Sequence, residues 1–189
     1  MIDKKKIRLQ IRESLATVTP DIWQQASQQI TAALVSWLQE RPEVKRVSLF
    51  AALPNEIDLQ MLLILLPQIE WCFPVVNGQE LSFHRVNRSD SLISGYRGIM
   101  EPNPMVHPPV ERDSIDLMLC PGLAFSKDGA RLGRGGGYYD RFLSEQKAVY
   151  KVGVCLSHQL IESVPSERHD IPMTHIVTES GVIKVLQEV

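Results

Sequence analysis

The segment Ser114–Gly122, SIDLMLCPG, constrains the fold more than any other stretch of the chain. A strand with one wet face alternates apolar and polar residues, whereas Leu117 to Cys120 are apolar without interruption. Such a run reads as a strand buried on both faces, inside a sheet covered on both sides. VKRVSLFAAL (44–53), IEWCFPVV (69–76), ELSFHRV (80–86) and YKVGVCL (150–156) read as further strands, with a turn at Asn77-Gly78. HIVTESGVIKVL (175–186) closes the chain, and DLQMLLILLPQ (58–68) reads as a helix ended near Pro67. Residues 102–109 (PNPMVHPP) hold four prolines and read as a surface loop of extended backbone.

Two helices precede these strands. Ile7, Ile11 and Leu15 fall four apart, on a helix that begins near Asp3. Thr19-Pro20-Asp21 combines a hydroxyl cap, a proline at the first helical position and an acid in the first turn. Behind it Trp23, Ala26, Ile30, Leu34, Trp37 and Leu38 keep the spacing of a buried helical face. Strands alternating with helices predict right-handed crossovers and a mostly parallel sheet. The expected class is α/β: a single three-layer α/β/α domain over residues 1–189, with the helices of 1–40 packing on the sheet.

Composition excludes several functions. With 44% hydrophobic and 22% charged residues the chain is an ordinary globular one, not a disordered one. Its net charge of −2 lacks the basic excess of a general nucleic-acid coat, so no nucleic-acid partner is expected. The longest apolar run, Met61–Leu66, is far short of the roughly 20 residues that span a bilayer. In MIDKKKIRLQIRE charge recurs too soon for a secretory signal. Cys72, Cys120 and Cys155 show no CxxC spacing, and each sits in an apolar stretch, which predicts buried reduced thiols. A cytoplasmic monomer with no membrane role is expected.

Chemistry concentrates in Pro121–Leu143, PGLAFSKDGARLGRGGGYYDRFL. It follows the doubly buried strand, and in such sheets ligands bind beyond the carboxyl ends of strands. Gly133, Gly135, Gly136 and Gly137 let backbone amides approach an anion, and Tyr138–Leu143 reads as the start of a helix. Lys127, Arg131, Arg134 and Arg141 surround this cradle. It is neither a P-loop, for want of GxxxxGK[ST], nor a dinucleotide fingerprint, since Tyr138 stands where the third glycine belongs. Asp140 reads either as compensation of the helix dipole or as a Mg²⁺ ligand. Lys4 and Arg8, four apart, share one helical face; they read as a solvated face or as a pair reaching phosphates. Glu56, beyond a strand and a Pro-Asn turn, reads as a loop acid or as an acceptor for ligand N–H groups. The five histidines form no metal motif, and Ser126 and Ser157 lack a nucleophile-elbow context.

AFSKDGARLGRGGGYYDRFL closely resembles the signature of 5-formyltetrahydrofolate cyclo-ligases, also called methenyltetrahydrofolate synthetases. The likeness extends to the Lys4…Arg8 spacing, SLFAALPNEID, GIMEP (98–102) and VPSERHDIPMTHIVT. It implies a fold like that of glucosamine-phosphate deaminase and ribose-phosphate isomerase. It also implies ATP- and Mg²⁺-dependent cyclisation of 5-formyltetrahydrofolate, polyglutamylated or not, to 5,10-methenyltetrahydrofolate, with release of ADP and phosphate. In the family's mechanism the formyl oxygen attacks the γ-phosphate and N10 closes the ring. By motif match, Lys4, Arg8, Arg131, Gly133 and Arg134 to Tyr139 hold ATP. Ala51, Glu56, Tyr96 and Arg134 to Tyr138 hold the folate, Asp140 and Asp170 hold Mg²⁺, and Arg134 and Tyr138 are the catalytic candidates. Val75 follows Pro74 where members often carry a basic residue, so no phosphate contact is assigned there. The alternatives are a folate- or nucleotide-binding protein without turnover, and a sugar-phosphate isomerase or deaminase, which would need no ATP.

Overall fold

The computed structural model describes residues 3–87, 91–148 and 150–186. Helix α1 (Lys4–Ala16) starts at Asp3, whose carboxylate accepts the Lys5 amide. Helix α2 (Pro20–Gln39) starts at Thr19 with proline at its first position, but the Thr19 hydroxyl makes no capping bond. Strand β1 (Arg46–Ser48) and the one-turn helix α3 (Leu62–Leu65) lead to a hairpin of β2 (Glu70–Asn77) and β3 (Glu80–Arg85). A ribbon of β4 (Leu92–Ser94) and β5 (Met100–Pro102) follows, then β6 (Leu117–Pro121). Next come β7 (Ala124–Ser126), β8 (Arg131–Leu132), α4 (Tyr138–Ser144) and β9 (Tyr150–Val154). The chain continues through β10 (Leu160–Ile161), β11 (His175–Thr178) and β12 (Gly181–Lys184).

The main sheet runs β12-β11-β9-β6-β1-β2-β3. Its five inner strands are parallel, and an antiparallel strand closes each edge. Both faces are buried, as Ser114–Gly122 predicts. Leu117 and Leu119 enter the core under α2 and α3, while Met118 and Cys120 enter the one under α4. The same two-residue period sends Trp71 and Phe73 one way and Cys72 the other. All three cysteines are buried and unpaired.

Three differences from expectation have physical causes. First, β1 is short: Ser48 is its last residue to pair with both β2 and β6, and beyond it only the Leu49 amide continues, to the Cys72 carbonyl. Second, the crossovers are only partly helical: β7 and β8 share the β6–β9 connection with α4, and β10 occupies the β9–β11 connection. Third, α1 is shared between two cores: Leu15 joins α2 in the core of the main sheet, Ile7 packs on the small sheet β10-β7-β8 with Ala124, Ala130, Leu132 and Val164, and Ile11 touches both. That side sheet holds α1 over the carboxyl end of β6.

From β1 the chain moves outward to β2, then returns to β6 on the other side of β1 and proceeds to β9 and β11. The Asp116 carboxylate accepts the Lys45 and Arg46 amides, both at 2.8 Å, and pins β1 to β6 at their amino ends. The connections leave in opposite directions at the carboxyl ends, and that is where a crevice opens. Gly122 lines this crevice, and behind it Phe125 is fully buried between Gly122 and Gly153. A Cβ on Gly122 would lie 2.6 Å from the ring, and one on Gly153 would clash with the ring edge more closely still. Gly153→Ala is therefore expected to lower stability by about 1–3 kcal/mol in urea denaturation, the usual cost of overpacking. A loss below about 0.5 kcal/mol would mean that Phe125 moves aside freely.

Candidate active site

A cavity of about 600 Å³ occupies this crevice. The carboxyl ends of β1 and β6 supply Phe50, Ala51, Pro121 and Gly122 to its lining. The loop Gly133–Gly137 crosses it, with left-handed backbone at Gly135 (φ 108°) and Gly137 (φ 67°). Only glycine adopts such angles without strain, which is why this turn is written in glycines.

One end of the loop is tied to α1, where Arg8 Nε donates to the Gly133 carbonyl at 2.9 Å. The other end is tied to the β2–β3 turn. There the Tyr138 hydroxyl donates to the Gly78 carbonyl at 3.4 Å, and Arg141 donates to the Gln79 carbonyl through Nε and a terminal nitrogen. Arg131 and Asp140 close the loop from beneath. The Arg131 side chain, only 4% exposed, bonds the Asp140 carboxylate at 2.8 Å and the Pro121 carbonyl at 3.3 Å.

The cavity thus has two unlike ends. Lys4, Lys5 and Arg8 of α1 give one a cationic wall, together with Glu167, His169 and Asp170. Lys4 Nζ lies 2.6 Å from Asp170 and 3.4 Å from Glu167. Burial alone would raise the Asp170 carboxyl, but the Lys4 ammonium and the Glu167 amide hold it below the usual carboxylate range. Pro74, Val76, Leu81, Tyr96, Ile99 and Tyr138 give the other end an apolar, aromatic wall. The Tyr96 and Tyr138 rings meet edge to face at 6.3 Å, and their hydroxyl contact pushes the Tyr138 phenol up. Between the ends, Arg134 donates twice to Glu56 Oε1, at 2.6 and 3.0 Å, and the Leu53 amide donates to Oε2.

Every residue singled out for ATP, folate or Mg²⁺ lines this one cavity: Lys4, Arg8, Ala51, Glu56, Tyr96, Arg131, residues 133–140 and Asp170. Several are engaged with one another. Arg134 holds Glu56, Arg131 holds Asp140, and Lys4 holds Asp170. Asp140 and Asp170 are thus each held by a cation. No cluster of three or more His, Cys, Asp or Glu suited to a metal occurs among the described residues. The Tyr139 hydroxyl is buried without a partner among the described residues, and burial drives its pKa well up. Lys127 and Arg141, read as flanking the cradle, lie outside the lining, Lys127 being exposed on the β7–β8 turn.

Glu101 was not singled out as a site residue. It is buried and lines the cavity, with its carboxyl raised by burial despite bonds from the Tyr96 and Val76 amides. Its sequence signal is its place in GIMEP (98–102), one of the blocks that carry the family likeness, to which the motif match gives no role.

The family model for the 5-formyltetrahydrofolate cyclo-ligase family matches residues 1–179. The chain belongs to this family. A 5-formyltetrahydrofolate cyclo-ligase of Escherichia coli K12 is 30% identical over 91% of this chain and 98% of its own length. One from Haemophilus influenzae is 29% identical over 92% and 96%. The solved 5,10-methenyltetrahydrofolate synthetase of Aquifex aeolicus superimposes with a TM-score of 0.82 at 33% identity, covering 98% of this chain and 94% of that one. That of Mycoplasma pneumoniae gives 0.76 at 25%, covering 94% and 99%.

The buried Arg131–Asp140 pair bears on stability. Arg131→Met should cost about 3 kcal/mol or more, because it leaves Asp140 poorly compensated, and Arg131→Met with Asp140→Leu should recover most of that loss. Strictly additive losses in chemical denaturation would contradict the pairing.

Proposed function

We propose that this chain catalyses the ATP-dependent cyclisation of 5-formyltetrahydrofolate to 5,10-methenyltetrahydrofolate, releasing ADP and phosphate. The observation that carries the reading is the two-ended cavity. A cationic wall on α1 suits phosphates, an aromatic wall over β2 and β3 suits a pterin, and the glycine loop joins them.

The chemistry needs that juxtaposition. A formamide oxygen is a poor leaving group, so it attacks the γ-phosphorus, forming the O–P bond as the bond to the ADP oxygen breaks. N10 then adds to the resulting iminium carbon and loses its proton. The C–O bond breaks, phosphate leaves, and the methenyl bridge remains. In phosphoryl transfer the protein chiefly positions groups and neutralises charge. Lys4 and Arg8 hold the phosphates with the amides of residues 133–137. Ala51 and Tyr96 border the folate, and Tyr138 lies where the two substrates meet.

Arg134 and Glu56 act as a pair. Pterin N–H groups offered to Glu56 compete with the Arg134 guanidinium now bound to Oε1. As Glu56 changes partner, Arg134 turns to the transferring phosphoryl group, so folate binding readies the charge that ATP chemistry needs. One carboxylate, with the nucleotide phosphates, would hold Mg²⁺, which would supply further neutralisation of charge when bound. Asp140 fits that part, because its Oδ1 meets Arg131 and its Oδ2 makes no hydrogen bond or ion pair among the described residues. Asp170 fits less well, since its Oδ2 already accepts Lys4 and the Glu167 amide; we assign it to holding Lys4. The three buried, unpaired thiols support a reducing, cytoplasmic setting.

Purified protein with 5-formyltetrahydrofolate should develop the near-ultraviolet methenyl chromophore only when MgATP is present. Folate binding without the chromophore would point instead to a non-catalytic binder. Arg134→Ala should lower kcat about 100-fold, the scale for losing one charge-stabilising group; turnover within a few-fold of wild type would remove that role. Excess chelator should stop turnover and added Mg²⁺ restore it, while activity that persists in chelator would overturn the part given to Asp140.

A further inference from the structure

The turn that carries Tyr96 has a feature the cyclisation chemistry does not use. Arg97 has φ 55° and ψ 27°, the only left-handed non-glycine backbone among the described residues. A residue with a Cβ adopts that region at a cost, and such outliers persist where the surroundings hold them. The surroundings here are explicit. The Gly98 amide donates to the Gly95 carbonyl at 3.1 Å, and the Gly95 amide to the Ile99 carbonyl at 2.8 Å. The Glu101 carboxylate accepts the Tyr96 amide at 3.2 Å, and its other oxygen occupies the space that a Cβ on residue 95 would need. Gly95, Glu101 and the ribbon of β4 and β5 thus fix an exposed arginine at the rim of the cavity.

The electrostatics there are unbalanced. Arg131, Arg134 and Lys4 each have a carboxylate partner, and Arg8 has the Gly133 carbonyl. Arg141, beyond the lining, is held by the Gln79 carbonyl. Arg97 lines the cavity on its aromatic side, with its guanidinium 5.2 Å over the Tyr96 ring, and makes no ion pair among the described residues. Lys5 is also unpaired, but it stands on the phosphate side with α1. A cation without an anionic partner among the described residues, held on the wall away from the phosphates, calls for a second anion on the ligand.

The folate supplies one. Its formyl group and N10 must both reach the phosphoryl group, and the aminobenzoyl-glutamate arm that N10 carries runs on away from the ATP phosphates, along the aromatic side, with two carboxylates that are ionised at neutral pH. Resting on the reading of this cavity as a folate site, we propose that Arg97 binds a carboxylate of the substrate's glutamyl tail and so sets the preference for tailed folates. Glu101 is a positioning residue: it fixes the turn that aims Arg97.

The test compares 5-formyltetrahydrofolate with the analogue that lacks the glutamate, 5-formyltetrahydropteroate, on the full chain. Arg97→Gly and Arg97→Ala should lower kcat/KM for the tailed substrate about tenfold, the scale of one lost charge-assisted bond. Arg97→Lys should recover part of it, and KM for ATP should not move. On the tailless analogue, wild type and Arg97→Gly should be alike. Arg97→Gly should also melt no lower than wild type, because glycine suits the left-handed position, which separates lost charge from a damaged turn. Equal losses on both substrates, no loss on either, or a raised KM for ATP would overturn the assignment. Equilibrium binding of the same two ligands needs no turnover. Failure of the cyclo-ligase reading would appear as a wild type without chromophore; failure of this inference would appear as Arg97→Gly binding both ligands as wild type does.

Discussion

A guanidinium that scarcely reaches water governs this site. Arg131 emerges from the side sheet into the floor of the cavity, and a cation so enclosed is costly unless a carboxylate meets it. The carboxylate is Asp140, in the first turn of α4, so the pair draws the two ends of the glycine segment together. The loop between them must double over the cavity, and left-handed Gly135 and Gly137 allow it to do so. Everything the loop presents, from the Gly133 carbonyl facing α1 to the Tyr138 ring facing Tyr96, follows from that closure.

The fold brings two other chain segments to the same loop. The small sheet β10-β7-β8 carries α1 and its cations to one end, and the β2–β3 hairpin offers the Gly78 and Gln79 carbonyls at the other. Between them the reversal of strand order beside β1 opens the crevice. The charges waiting there are largely paired: Lys4 with Asp170 and Arg134 with Glu56. Pairing holds long side chains in place, and in the proposed reaction the ligands enter by exchanging partners. The depressed Asp170 pKa has a definite sign. The Lys4–Asp170 link contributes stability above the ordinary carboxylate range and loses it as pH falls through the folded pKa.

Much of this was legible in the sequence because each signal was local. Unbroken apolarity at Leu117–Cys120 gave away a doubly covered strand, Pro20 and Asp3 marked helix starts, and Gly78 marked the hairpin turn. The glycine segment and the Lys4–Arg8 pair could be read the same way. What stayed hidden depends on partners distant in sequence. Glu56 and Arg134 are 78 positions apart, and nothing local says that they bind each other. Glu101 sits in a three-residue strand whose burial comes from the ribbon and β2, and strands as short as β8 and β10 have no periodicity to read. Lys127 and Arg141 shared the glycine segment's basic character, yet the β7–β8 turn and the Gln79 carbonyl take them out of the cavity.

In the proposed reaction this cavity brings a formyl oxygen onto a phosphoryl group. The most direct measurement follows that oxygen. 5-Formyltetrahydrofolate labelled with heavy oxygen at the formyl group is turned over with MgATP, and the released phosphate is examined by mass spectrometry. One labelled oxygen should appear in each phosphate formed. Label found in water, with unlabelled phosphate, would show that ATP is cleaved without activating the formyl oxygen and would overturn the proposed reaction.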